Sequence, residues 1–127
     1  MKEIDGDRIR AAIDAAEQGT TGRVAVRIVP HDTPDALESA REHLHQADLH
    51  RHTHRNAVIF LVAPKSRRFA VYGDDAIHKR VGDAFWEELV AGMTPHFKQG
   101  DMTAALVHGI KRVGDQFQAH FPKENAR

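Results

Sequence analysis

An unbroken run of apolar residues, Ala57–Ala63, constrains the fold of this chain more than any other feature of its sequence. The run is far too short to cross a bilayer, which takes about 20 residues in a helix. Its length and its β-branched residues are typical of a β-strand, which Asn56 opens. Because polar residues do not alternate with the apolar ones, we expect both faces to be covered, as in a central strand.

Two further segments are predicted to form strands on either side of this run in the sequence. Val24–Val29 is rich in β-branched residues and ends at Pro30, and Arg68–Tyr72 follows the run after a short turn. The second and third strands are predicted to form an antiparallel hairpin. The first and second strands, which a helix joins, are predicted to be parallel with a right-handed crossover.

Apolar residues recur at helical spacing before the first strand and between the first two strands. Asp5 or Asp7 is predicted to cap the first helix, and Thr33, which proline follows, is predicted to cap the second. The core-facing residues of the second helix are predicted to be Leu37, Ala40, Leu44 and Ala47.

The rest of the chain has a helical pattern. Asp83 and Asp101 are predicted to begin the last two helices, and Pro95 to kink or shift the first of these. This order of elements predicts an α/β fold, a three-layer α/β/α sandwich around a small mixed sheet. Since neither a repeat nor a linker interrupts the chain, residues 1–127 are predicted to form a single domain.

Charge and composition exclude several classes of function. Lys and Arg together number 18, and so do Asp and Glu, so the formal net charge is zero. Nucleic-acid-binding modules usually carry a basic excess, so we expect no nucleic-acid partner. The first residues form no hydrophobic signal region, and the chain has no cysteine for disulfides or thiolate chemistry. We therefore expect a cytoplasmic protein without direct membrane insertion.

Two adjacent carboxylates, Asp74 and Asp75, follow the third predicted strand. This loop is placed at the edge of the sheet, where α/β proteins usually bind ligands, and its oxygens suit Ca²⁺ or Mg²⁺. The predicted metal-site residues are Asp74, Asp75, Asp83 and His78, the last bonded to a carboxylate or a bound water. The alternative is that Asp74 or Asp75 only caps the next helix. Arg55 either orients a carboxylate of this loop or is solvated, and the spacing excludes an EF-hand.

An ordered set of short motifs covers the chain from about Thr21 to Pro122 and resembles the TPM domain family. This family is named after thylakoid-lumen and photosystem-associated proteins and an animal receptor-associated membrane protein. The chain is most similar to its short bacterial members. The motifs are Thr21-Gly22, Arg55-Asn56-Ala57-Val58, Val62-Ala63-Pro64, Gly73-Asp74-Asp75-Ala76-Ile77-His78, Val81-Gly82-Asp83 with Phe85-Trp86, His96-Phe97-Lys98-Gln99-Gly100, and His120-Phe121-Pro122.

The resemblance implies an α/β/α sandwich, binding of divalent cations, chiefly calcium, in some members, and a weak phosphatase activity in a plant relative. Two positions depart from the family. Arg23 stands where relatives often have an acidic residue, and Ala76 where they often have glycine. If either position belongs to the cation site, that site is altered in this chain.

Five of the ten histidines cluster in a short segment: His43, His45, His50, His52 and His54. Imidazoles at these positions could share Zn²⁺, Ni²⁺ or Cu²⁺. Because their spacing matches no fixed ligand set, we interpret the segment as a solvated, histidine-rich helix end.

The expected function is that of a TPM-like binding or scaffold domain that holds a divalent cation at the acidic loop. A protein partner in a membrane-associated system is expected. The alternative is a metal-dependent phosphohydrolase of low activity, in which the metal activates a water molecule and His78 acts as acid or base. The sequence contains neither a catalytic triad nor a glycine-rich phosphate loop.

Overall fold

The apolar run forms the central strand of a three-stranded sheet. In this computed structural model, which describes residues 3–46 and 54–123, β2 (Ala57–Ala63) lies between β1 (Arg23–Ile28) and β3 (Arg68–Gly73). β1 pairs with β2 in parallel, and β3 pairs with β2 antiparallel. All seven residues of β2 are buried. The predicted order and directions of the strands are confirmed.

One face of the sheet packs against α2 (Ala36–Gln46). The buried residues of this helix are Ala36, Ala40 and Leu44, and they share a core cluster with Ile59 and Leu61 of β2. Leu37, which we predicted to face the core, is 55% exposed. That prediction is wrong because small alanine at position 36, rather than leucine at 37, is the residue that faces the sheet. Ala47 lies outside the described residues.

The predicted cap of α2 is also wrong. Oδ1 of Asp35 accepts the backbone N–H of Glu38 at 3.0 Å, which is the bond that an N-cap side chain makes. The hydroxyl of Thr33 instead donates to the carbonyl oxygen of His31 at 3.0 Å. Its N–H donates to Oγ of Ser66 at 2.7 Å, in the turn that joins β2 to β3.

The remaining helices are α1 (Gly6–Glu17), α3 (Asp75–Lys98) and α4 (Met102–His120). Asp5 and Asp101 cap α1 and α4 as predicted, each accepting a backbone N–H three residues ahead. The non-helical residue inside α3 is Gly82, with φ of 76°, whereas Pro95 keeps helical dihedral angles. The disturbance predicted at Pro95 is therefore wrong, whereas the break at Gly82 lies directly before Asp83, where a helix was predicted to begin. Glycine adopts positive φ without a steric penalty.

Contacts divide the chain into two units, each described by itself. The strand unit is Arg23–Arg80, and the helical unit combines Met1–Gly22 with Val81–Arg127. The predicted α/β class around a small mixed sheet is confirmed, while the single domain over 1–127 stays a prediction. No described helix combines the length and the apolar character needed to span a membrane.

Candidate functional site

Strand directions bring several polar residues to one edge of the sheet. The register pairs Arg23 with Ala57 in the parallel strands, and Val58 with Gly73 in the hairpin. The first residue of β1, the residues before β2 and the residues after β3 therefore meet at the same edge. We call this the acidic edge, and it comprises Arg23, Arg55, Asn56, Asp74 and Asp75.

The acidic edge is not the usual position of a ligand site in an α/β protein. Such sites lie outside the carboxyl ends of parallel strands. Here the carboxyl end of β3 meets the amino ends of β1 and β2, because β3 runs antiparallel to β2. Of the three strands, β3 alone therefore has its carboxyl end at the acidic edge.

Asp74 is fixed in place by the backbone on both sides of it. Its N–H donates to the carbonyl oxygen of Ala57 at 2.9 Å, and its carbonyl oxygen accepts the N–H of His78 at 3.0 Å. Its carboxylate accepts the N–H of Asp75 at 2.8 Å. Asp74 thus precedes the first residue of α3 and accepts one of its free N–H groups, as a capping residue does.

Burial distinguishes Asp74 from an ordinary surface cap. The residue is only 2% exposed, and neighbouring Asn56 is fully buried. Each has a buried side-chain oxygen, Oδ2 of Asp74 and Oδ1 of Asn56. Burial of an ionised carboxylate is unfavourable unless hydrogen bonds or positive charge compensate for it. Oxygens of these two types are ligands that Ca²⁺ accepts.

Asp75 is exposed and interacts with Arg55. Nη1 of Arg55 lies 3.6 Å from Oδ2 of Asp75, with the two side chains 49% and 70% exposed. The carbonyl oxygen of Arg55 accepts the N–H of Ala76 at 2.9 Å, and Arg55 itself has a left-handed φ of 51°. The structure places Arg55 next to a carboxylate of this loop, while both side chains stay exposed, so its orienting role stays a prediction. An exposed ion pair of this kind contributes about 0–1 kcal/mol, so a stronger cation can displace the guanidinium.

Tyr72 is a neighbour of the acidic edge that sequence reasoning missed. Burial raises the pKa of its phenol, and the negative charges of Asp75 and Asp74 raise it further, whereas Arg41 opposes them. The ring packs against the core cluster under α2. The available sequence signal was proximity, since Tyr72 lies near the end of β3, two residues before Asp74.

The four predicted metal-site residues do not all lie in the same unit. Asp74, Asp75 and His78 belong to the strand unit, whereas Asp83 follows the break at Gly82 and belongs to the helical unit. His78 and Asp83 are exposed. Across residues 3–46 and 54–123, no three His, Asp or Glu side chains are grouped as a metal site. Metal binding by these four residues stays a prediction.

The histidine cluster is described only in part. Nδ1 of His43 lies 2.8 Å from the carbonyl oxygen of Ser39, within α2. His45 and His54 are exposed, and His50 and His52 lie outside the described residues. The interpretation of this cluster as a solvated helix end stays a prediction, and so does its alternative, a shared transition metal.

Comparisons with known proteins agree on one domain type. A family model described as TPM domain matches residues 2–116. The solution structure of BA42 protein from the psychrophilic bacterium Bizionia argentinensis has a TM-score of 0.81 and 28% identity, covering 95% of this chain and 86% of that one. No curated protein gives a significant match.

Two other solution structures share the fold at lower identity. The N-terminal domain of a P. gingivalis protein has a TM-score of 0.77 and 14% identity, covering 97% of this chain and 83% of its own. The N-terminal domain of cg2496 protein from Corynebacterium glutamicum has a TM-score of 0.71 and 19% identity, with coverages of 98% and 81%.

Proposed function

Because the chain belongs to the TPM domain family, we propose that it is a non-catalytic binding domain that takes a divalent cation, calcium, at the acidic edge. The observation that carries this proposal is the burial of Asp74, a carboxylate that is 2% exposed at the end of β3. A dication would supply the positive charge that favours a buried carboxylate.

The donor set suits a hard cation. Asp74, Asp75 and Asn56 offer side-chain oxygens, which are the ligands that a hard cation prefers. Calcium takes six to eight oxygens, and backbone carbonyls and water commonly complete its coordination. Two carboxylates are few for this ion, so we expect binding in the weak range of about 10⁻⁴–10⁻³ M.

Arginine is the competitor of calcium at this edge. Arg55 already pairs with Asp75. Arg23 lies opposite Ala57, the residue that follows Asn56 in the chain. A bound cation would have to displace the guanidinium of Arg55 and would be repelled by Arg23. Both arginines therefore lower the expected affinity, and removal of the Arg55 charge should raise it.

The proposal is tested by the melting temperature of the chain in increasing CaCl₂. A cation that binds only the folded state stabilises it by RT ln(1 + [L]/Kd). We expect calcium to raise the melting temperature of the wild type. The increment should be lost in Asp75→Asn and should begin at lower calcium in Arg55→Gln.

Asp115→Asn is the matched control, because it removes one carboxylate from an exposed position of α4. This variant should respond to calcium as the wild type does. The proposal is wrong if calcium leaves the wild type unchanged while Asp74→Ala destabilises it by about 1 kcal/mol in plain buffer, since Asp74 is then a helix cap only. Phosphomonoester hydrolysis by the same variants, with and without calcium, tests the phosphohydrolase alternative.

A further inference from the structure

The helical unit contains a pair of histidines on neighbouring helices. His96 lies near the end of α3 and His108 in the first half of α4, both within the segment that begins at Val81. Their ring centroids are 6.0 Å apart, and the ring planes are tilted by 42°. The two imidazoles are therefore close enough to act on one small ligand.

Gly92 makes room for this pair. A Cβ atom at position 92 would lie 2.6 Å from Nε2 of His108, so the imidazole occupies the place of a side chain on α3. His96 is four residues after Gly92 and thus on the same face of the helix. Because helical side chains lean toward the N-terminus, the ring of His96 is directed over the turn at Gly92, where Nε2 of His108 lies.

The protonation state suits metal binding, which needs a neutral imidazole. Burial lowers the pKa of His108, and the positive charges of His96, Arg112 and Lys111 lower it further. The direction of this shift favours the neutral ring. Arg112 and Lys111 also repel a metal ion, but both are exposed, so water and salt screen their charges.

We propose that His96 and His108 form a two-imidazole binding site for a divalent transition-metal ion of the kind that prefers nitrogen ligands, such as Zn²⁺. Imidazole nitrogen is a common ligand of Zn²⁺, Ni²⁺ and Cu²⁺, whereas Ca²⁺ prefers oxygen. Among the described residues no third His, Asp or Glu completes the group.

The test is a Zn²⁺ titration of the labelled chain, followed through the assigned imidazole resonances of His96 and His108. Both should shift with a single common midpoint, because one ion contacts both rings. In His96→Gln the shift of His108 should require at least about 10²-fold more zinc, and the reverse should hold for His108→Gln, since each variant loses the chelate. Ca²⁺ should shift neither ring.

His120→Gln is the matched control, because it removes an exposed histidine from the end of the same helix. Its titration should reproduce that of the wild type at His96 and His108. The backbone amide spectrum of each variant reports whether the chain is folded. The proposal is overturned if zinc shifts only one of the two rings, if it shifts other histidines and neither of these, or if either single variant retains the wild-type midpoint.

Discussion

Phe60 lies in the middle of β2, and its side chain is fully buried. Replacing it with alanine removes a large apolar surface and leaves a cavity, so Phe60→Ala should lower the free energy of unfolding by about 3–5 kcal/mol. This is a large part of the 5–15 kcal/mol that is typical of a domain. Phe69→Ala, at a half-buried position of β3, should have a smaller effect in the same urea titration. A loss below about 1 kcal/mol for Phe60→Ala would contradict the central role of this side chain.

The lowered pKa of His108 should make stability depend on pH. As the pH falls through the ordinary value of 6.5, the unfolded chain takes up a proton at this residue before the folded chain does, because burial and nearby positive charge resist protonation in the fold. The free energy of unfolding therefore decreases until the pH passes the lowered folded-state pKa. His108→Gln removes this contribution, so the variant should lose less stability than the wild type between about pH 7 and pH 5. Urea midpoints at each pH measure this loss of stability, and His120→Gln is the control. Equal dependence of the midpoint on pH in the wild type and in His108→Gln would contradict the prediction.

At the scale of the helix and the strand, close contacts between small residues control packing. A Cβ atom at Gly114 of α4 would lie 2.9 Å from both Cα and Cβ of Ala16 in α1. Gly114→Ala gains about 1 kcal/mol of helix propensity but forces the two helices apart, which typically costs about 1–3 kcal/mol. We expect a net destabilisation in urea unfolding. Gly6→Ala is the control, because nothing lies within 4 Å of its added Cβ, and this variant should not be destabilised. Stabilisation by Gly114→Ala would contradict the prediction, because it would show that α1 and α4 accommodate the added methyl group without a loss of packing energy.

The strands could be predicted from the sequence more closely than the helix ends. An apolar run such as Ala57–Ala63 leaves few alternatives, since burial of both faces follows from its composition. Thr33 and Asp35 are both residues that favour the N-cap position, so the sequence alone does not decide between them. In the fold, the N–H of Thr33 donates to Ser66, which is distant in sequence. The break at Gly82 agrees with the prediction that a helix begins at Asp83, whereas the proline at position 95 does not disturb the helix as its residue type suggests.

The sequence identified the residues of the candidate site better than it predicted their environment. The adjacent carboxylates Asp74 and Asp75 stand out in the sequence, but their difference in burial depends on the pairing of β3 with β2. The pairing of His96 with His108 depends on how α3 and α4 are aligned across the turn at Gly100. The apolar periodicity of each helix taken alone does not predict this alignment.

At the scale of the whole molecule, the helical unit is built from both ends of the chain. The N–H of Asp5 donates to Oγ1 of Thr103 at 2.9 Å, and Nε2 of Gln118 donates to the carbonyl oxygen of Gln18 at 2.9 Å. Joining α1 to α4 thus closes a loop that contains the whole strand unit. A flexible loop makes this closure entropically unfavourable, and a folded strand unit fixes part of the loop in advance.

Because each unit reduces the entropy that the other must lose, we expect the chain to unfold in one cooperative transition, as a single domain does. Its single tryptophan and single tyrosine report separately on the two units, with Trp86 in the helical unit and Tyr72 in the strand unit. Trp86 fluorescence and the ring resonances of Tyr72 should give the same urea midpoint. Gly114→Ala, which changes only the helical unit, should lower both midpoints equally. Separate midpoints, or a shift confined to the Trp86 signal, would show that the units unfold independently and that the chain is not one cooperative domain.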